Sequence, residues 1–272
     1  MKLYYYTTVD KLALILHNKA IRFTRLDFFD DLKEAESFSK FNPLQYIFAS
    51  CHTKDEKENI PLWKMYSSLN DGVRIEFNKD TMFQPQIRNC HIPANAYEES
   101  TYPPTRCTAL TSEQIINPDY MTLSIGMRNI NDDIITYRDV EYDDNFIEKY
   151  KNYLQISDRT KPDGRINREL SYSPFNFGFY KTTYWKFQEE SRFLIYTFPF
   201  CPTTTDISRT ISENTKLETK YIDVGLSNLS IENMKIRLAP NASKSTQLIV
   251  NALTKEYTKI VIEDSELKGH IR

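Results

Sequence analysis

An α+β fold is what this sequence predicts, and three observations carry the prediction. GVRIEF (72–77) alternates apolar and polar residues as a half-buried strand does. TTVDKLALILHNK instead sets Leu12, Ile15 and Leu16 on one face at helical spacing. Along the chain such strands dominate and helices punctuate them.

Taken in order, KLYYYT (2–7) reads as the first strand, because Tyr and Thr favour the pleated backbone. Thr7 or Thr8 caps the helix that follows, with Asp10 near its positive N-terminus. AIRFTRLDFFDD returns as a short strand, Ile21 and Phe23 alternating with Arg22 and Thr24, and ends in an acidic turn. YIFASCH (46–52) is a further strand by its apolar and small residues. NIPLWKMYSSLNDG is a helical turn carrying Trp63 and Tyr66, closed by the turn pair Asp71-Gly72. Pro85, Pro93, Pro103 and Pro104 leave no room for a long element in 78–112. DDNFIEKYKNYL is helical, and SDRTKPDGRINREL (157–170), polar, basic and turn-rich, reads as a mobile surface loop. FYKTTYWKFQEESRFLIYTF is strand-like toward its C-terminal half. The last part of the chain reads strand, helix (about 243–257), strand.

Composition narrows the function classes. The 272 residues suffice for one large core, and no repeat, low-complexity tract or linker divides them, so one domain over 1–272 is expected. No apolar run approaches the roughly 18 residues that span a bilayer, and MKLYYYTTVDKL has no apolar signal core. The expectation is a cytoplasmic protein without membrane contact. Cys51, Cys90, Cys107 and Cys201 are far apart, and so are His17, His52, His91 and His270, which argues against a disulfide framework and a metal site. A metal at Asp30 and Asp31 would want a third carboxylate nearby. Net charge is −2, so no global basic field advertises nucleic acid. The chain is rich in rings, 18 Tyr and 16 Phe against 6 Gly, which suits a core and also stacking on bases or a nicotinamide.

The stretch with chemistry in it is WKFQEESRFLIY. Read as a strand, it puts Gln188, Glu190, Arg192 and Leu194 on one face and Phe187, Glu189, Ser191, Phe193 and Ile195 on the other. Such a stripe suits a solvated edge strand. It also suits a site in which Arg192 keeps Glu190 ionised beside an amide. A charged glutamate can take a ribose hydroxyl and stabilise the positive charge that develops at a glycosidic carbon, and NAD contains such a bond.

Gln188-Glu189-Glu190 resembles the Q-x-E or E-x-E motif of ADP-ribosyltransferases, and Leu3 to Thr7 resembles their opening strand. More closely, the chain resembles the bacterial family known as domain of unknown function 2971. The resemblance rests on Leu3-Tyr4-Tyr5-Tyr6, residues 21–31, Trp63 to Tyr66 with Gly72-Val73, and Trp185 to Arg192. It implies a split β-sheet core with peripheral helices, NAD as substrate and no metal. It makes Glu190 catalytic and Gln188 the residue that orients the acceptor. Tyr5 and Thr7 would line the nicotinamide-ribose site, Tyr5 standing where the transferases often have a ribose-binding histidine. Trp63 and Tyr66 would wall the site, although three apart on a helix they equally suit the core. Arg192 and Arg22 would hold charge near Glu190 or the pyrophosphate, although Arg22 also suits an ordinary exposed strand position.

The implied activity is ADP-ribosyl transfer to a macromolecule (RNA, single-stranded DNA or protein) by an intracellular toxin or anti-phage effector, with an antitoxin or other neutralising partner as a corollary. An NAD glycohydrolase using water at the same site, and a non-catalytic binding module on the same scaffold, are the competing expectations.

Overall fold

The computed structural model describes residues 1–35, 41–84, 86–88, 106–123, 134–160, 162, 164, 166–199 and 215–271. In chain order its strands are β1 (Lys2–Thr8), β2 (Ala20–Arg25), β3 (Ile47–Thr53), β4 (Gly72–Asn78), β5 (Gln86–Arg88), β6 (Arg106–Thr108), β7 (Tyr120–Thr122) and β8 (Ile135–Asp139). There follow β9 (Glu141–Tyr142), β10 (Leu154–Thr160), β11 (Ile166–Tyr172), β12 (Tyr180–Lys181), β13 (Glu190–Pro199), β14 (Tyr221–Gly225), β15 (Lys235–Leu238) and β16 (Val261–Glu263). Helices α1 (Val9–Asn18), α2 (Leu32–Ala35), α3 (Ile60–Tyr66), α4 (Ser112–Ile115), α5 (Phe146–Tyr153), α6 (Asn228–Glu232) and α7 (Lys244–Thr254) lie between them. The fold is α+β, built on an open multi-stranded sheet.

Ten strands share that sheet. Its path runs β14-β2-β3-β1-β4-β15-β16, and β13, paired to β3, carries β7 and β8 on its far side. Pairing around β3 is uneven, and that unevenness makes the cleft. On one edge β13 pairs with β3 over its full length, from Glu190 opposite Thr53 to Tyr196 opposite Ile47. On the other edge β2 pairs only at Phe48 and Ala49, and β1 only at Thr53. Between them Ser50, Cys51 and His52 have no partner strand on that side among the described residues, so the sheet is split where β1 and β2 diverge.

Helix α1 joins β1 to β2. The Thr8 hydroxyl accepts Lys11 N–H at 3.3 Å, which caps the helix as the sequence suggests, and Lys19 ends it in a left-handed conformation. Its buried Leu12, Ile15 and Leu16 pack with Leu3, Phe23, Ile75, Phe193 and Ile195 in the main core, to which α7 contributes Val250. Ile47, Ala49, Leu194 and Tyr196 project from the opposite face and form a second core with α5 and Phe177. Alternation along each strand thus feeds two cores.

Two expectations need correction. Residues 157–160 and 166–170 are no loop: β10 and β11 pair antiparallel from Leu154 opposite Tyr172 to Thr160 opposite Ile166. A ribbon of this kind is held by backbone pairing, so its strands need no apolar alternation to betray them. Nor is Trp185–Glu189 strand. Thr183–Gln188 is a 3-10 helix, Glu189 is left-handed (φ 43°), and the strand starts at Glu190. The helix beginning at Lys244 ends at Thr254, short of 257. Residues 78–112, expected to lack a long element, lie partly outside the described residues and otherwise hold short pieces. Among the described residues no helix is long and apolar enough to cross a membrane.

Candidate functional site

A cleft of about 240 Å³ opens at the split in the sheet. Its floor is Ala49–Thr53 of β3, and its walls are Tyr4, Tyr5 and Tyr6 of β1, Arg22 and Thr24 of β2, and the turn from Phe28 to Asp31. Lys11, Leu62, Tyr66, Lys181, Trp185, Gln188 and Glu190 complete it. Rings and a few convergent polar groups are the usual makings of a small-molecule site.

Glu190 opens β13 and sits opposite Thr53, on the sheet face that also carries Cys51. Its side chain is 6% exposed and accepts from both sides: Lys181 Nζ reaches Oε2 at 2.6 Å and Arg192 Nε reaches Oε1 at 2.7 Å. Burial alone would raise its carboxyl, but Arg192 and Lys181 outweigh burial and hold it at about 2. The backbone N–H of Glu190 donates to the Tyr142 hydroxyl at 2.8 Å. Beside it the Cys51 thiol is kept protonated by burial and by the Glu190 charge.

Arg192 is fully buried. Its guanidinium also donates to both Glu34 oxygens, at 2.7 and 3.1 Å, and to the Gly178 carbonyl at 2.7 Å. Gly178 adopts φ +87°, and a Cβ there would meet Leu26 at 2.8 Å, so only glycine lets the backbone approach this closely. Arg192 does not line the cleft; of the two places expected for its charge, Glu190 or the pyrophosphate, it stands at Glu190, on a strand face that is core at its position. It positions Glu190.

Lys181 links the motif together. Its Nζ also donates to Gln188 Oε1 at 2.9 Å, and it lies over the Trp185 ring. Gln188 Nε2 donates to the Tyr66 hydroxyl at 2.7 Å. The Gln188 side chain, 2% exposed, thus spends both ends of its amide inside the protein. Tyr66 is where the expectation puts it, on the wall of the cleft.

Other expected residues fall elsewhere. Trp63 is fully buried, edge-on to Tyr6 at 5.0 Å, with its indole N–H on Glu58 at 2.9 Å, and is no part of the wall. A helix of this length turns Tyr66 outward and Trp63 inward, because three residues span less than a full turn. Thr7 is 1% exposed and opposite Val73, on the face of the main core, so it does not line the cleft. Tyr5 shares that face; it reaches the cleft only through the split, its ring tilted 42° against His52 with centroids 5.3 Å apart, and burial pushes its phenol up to about 12. Tyr4 and Tyr6 are the tyrosines on Glu190's face, since Tyr4 is opposite Thr53. Arg22 lines the cleft, but its guanidinium forks onto Asp223 at 2.8 Å and stacks on Tyr221.

Sequence reasoning missed Lys181, Tyr142, Glu34 and Trp185 at this site. Only Trp185 carried a local signal, its place at the head of the Trp185–Arg192 block. The others arrive from separate segments through tertiary contact. His52, also in the cleft, is buried and held neutral, its imidazole lowered by burial to about 3. Among the described residues no group of three or more His, Cys, Asp or Glu is arranged to hold a metal ion.

No curated protein and no solved structure gives a significant match to this chain. A family model described as "Protein of unknown function (DUF2971)" matches residues 62–193, from α3 to the Glu190–Arg192 pair, and that match supports placing the chain in this family.

Proposed function

We propose that the protein is an NAD-consuming ADP-ribosyltransferase that acts at Glu190, with a macromolecule as acceptor. The observation that carries this reading is the ionised, two-cation-braced Glu190 in an aromatic cleft at the split of the sheet. A fixed carboxylate there stabilises the oxocarbenium-like carbon formed as the C1′–nitrogen bond of the nicotinamide ribose breaks. The leaving nicotinamide needs no acid, because its ring nitrogen becomes neutral as it departs. Tyr4, Tyr6, Tyr66 and Trp185 supply ring faces for a planar nicotinamide. The cleft is below the roughly 300 Å³ of a typical ligand pocket, a size that suits the nicotinamide-ribose half while the rest of the dinucleotide lies outside. On the family resemblance, the biological setting would be a bacterial toxin or anti-phage effector with RNA, single-stranded DNA or protein as target.

One observation favours the hydrolase alternative. Gln188, which the resemblance makes the acceptor-orienting residue, has its amide engaged by Lys181 and Tyr66. Water would need no such residue.

The test is incubation of the protein with NAD carrying label in the adenosine half, with and without cell lysate. Label on macromolecules that nuclease or protease removes supports transfer and assigns the acceptor. Free ADP-ribose alone supports hydrolysis. Absence of both products and of free nicotinamide sinks the enzyme reading and leaves the binding module.

A further inference from the structure

An O–H or N–H nucleophile, whether water or part of a macromolecule, must give up a proton as it attacks C1′, and Glu190 is ill placed to take it. Both its oxygens already accept from cations, which favours its charged form. His52 is a poor proton acceptor too, since burial disfavours its imidazolium. The cleft holds a second carboxylate. Asp31 belongs to the acidic turn after β2, the strand that borders β3 on the edge opposite β13. Its side chain is 6% exposed. Oδ1 accepts Lys33 N–H at 3.1 Å, but Oδ2 is buried with no hydrogen-bond partner among the described residues. A buried acceptor without a donor is costly, and a donor carried in by a ligand relieves that cost.

We propose that Asp31 is the general base of the reaction, taking at Oδ2 the proton of the nucleophile that attacks C1′. This rests on the NAD reading above and deepens it. The nucleophile's lone pair forms the bond to C1′, and the C1′–nitrogen bond breaks with its electron pair passing to the pyridinium nitrogen. The nucleophile's proton moves to Asp31 and then to solvent as product leaves. The two carboxylates thereby divide the work, one stabilising charge and the other accepting a proton. The arrangement also gives the site a proton acceptor that does not depend on Gln188.

Azide is the discriminating probe, because it attacks C1′ without having a proton to lose. Asp31→Asn and Asp31→Ser are assayed for nicotinamide release from NAD, with and without sodium azide, beside Glu190→Gln. Asp31→Ser keeps an oxygen for the Lys33 N–H, so it protects α2 if the amide variant misfolds. The expected result is a fall of about 10²–10⁴-fold in both Asp31 variants. Azide restores release and appears as the azide adduct of ADP-ribose, while Glu190→Gln is not rescued. Turnover in the Asp31 variants within threefold of wild type overturns the proposal, as does a loss that azide does not restore. Failure of both variants to fold also overturns it, because Asp31 then serves the fold. Wild-type protein that releases no nicotinamide defeats the NAD reading itself, an outcome distinct from all of these.

Discussion

Two glutamates with buried side chains have similar partners and different surroundings. Glu58 accepts the Trp63 indole N–H, the Ser265 hydroxyl, the Glu266 N–H and an Arg237 nitrogen, at 2.6 to 3.2 Å. Glu190 accepts from Lys181 and Arg192. Both lie near an indole and a guanidinium. Glu58 is closed over by its own chain: its donors tie the segment before α3 to residues 265 and 266 near the C-terminus, and it does not line the cleft. Glu190 faces the cleft, and among the described residues no backbone N–H donates to its carboxylate. A buried, paired carboxylate is therefore no sign of a site by itself. What separates the two is whether the remaining lone pairs face protein or an opening.

The sharpest way to break this contrast is a pair of isosteric variants. Glu190→Gln is expected to lower nicotinamide release about a thousandfold, roughly 4 kcal/mol of barrier. Glu58→Gln should leave release within about twofold while costing about 3 kcal/mol of stability in urea unfolding. Equal loss of turnover in both would erase the distinction.

Acid sensitivity gives a second way to test Glu190. The Glu190 carboxyl is lowered from 4.5 to about 2 in the folded protein, so its contribution is present above pH 4.5 and is lost as pH falls toward 2. That window is worth roughly 3 kcal/mol, and unfolding of Glu190→Gln should show correspondingly less acid sensitivity within it. His52 adds an earlier phase. Its imidazole is lowered from 6.5 to about 3, so the unfolded chain takes up the proton first and stability falls below pH 6.5. About 2 kcal/mol should be gone by pH 5, and His52→Phe should remove that slope. A variant whose pH profile matches wild type between 6.5 and 5 would rule His52 out as its source.

The smallest expected effects concern the neighbours of these groups. Glu189→Gly should stabilise by up to about 1 kcal/mol, because a left-handed backbone suits glycine, with turnover unchanged. Tyr5→Phe should change NAD turnover by less than about threefold, since the ring lies on the far face of the sheet from Glu190. A larger fall would return Tyr5 to the ribose site that the motif comparison implies.

Much of this was readable from local pattern. The opening strand, the capped helix α1, the strand at 72–77 and the strand-helix-strand ending all follow from periodicity and capping residues, which act within a few positions. Glu190 was legible too, through its motif and the nearby Arg192. Reading Trp185–Glu189 as strand failed because one left-handed residue, Glu189, resets the alternation, and period two has no term for a residue with positive φ. The same limit made Thr7 and Trp63 look like site residues: each lies on an element that touches the cleft, but its own side chain points into the core.

By itself, then, the sequence determined most of the strands and helices and singled out Glu190 through its motif, because those depend on neighbours along the chain. The tertiary structure decided that β1 and β2 would part over β3, that Lys181 and Glu34 would arrive at the Glu190–Arg192 pair, and that Asp31 would share their cleft. Those are pairings between segments far apart in sequence, chosen by strand register and by the need to satisfy buried charge, and no local window contains either.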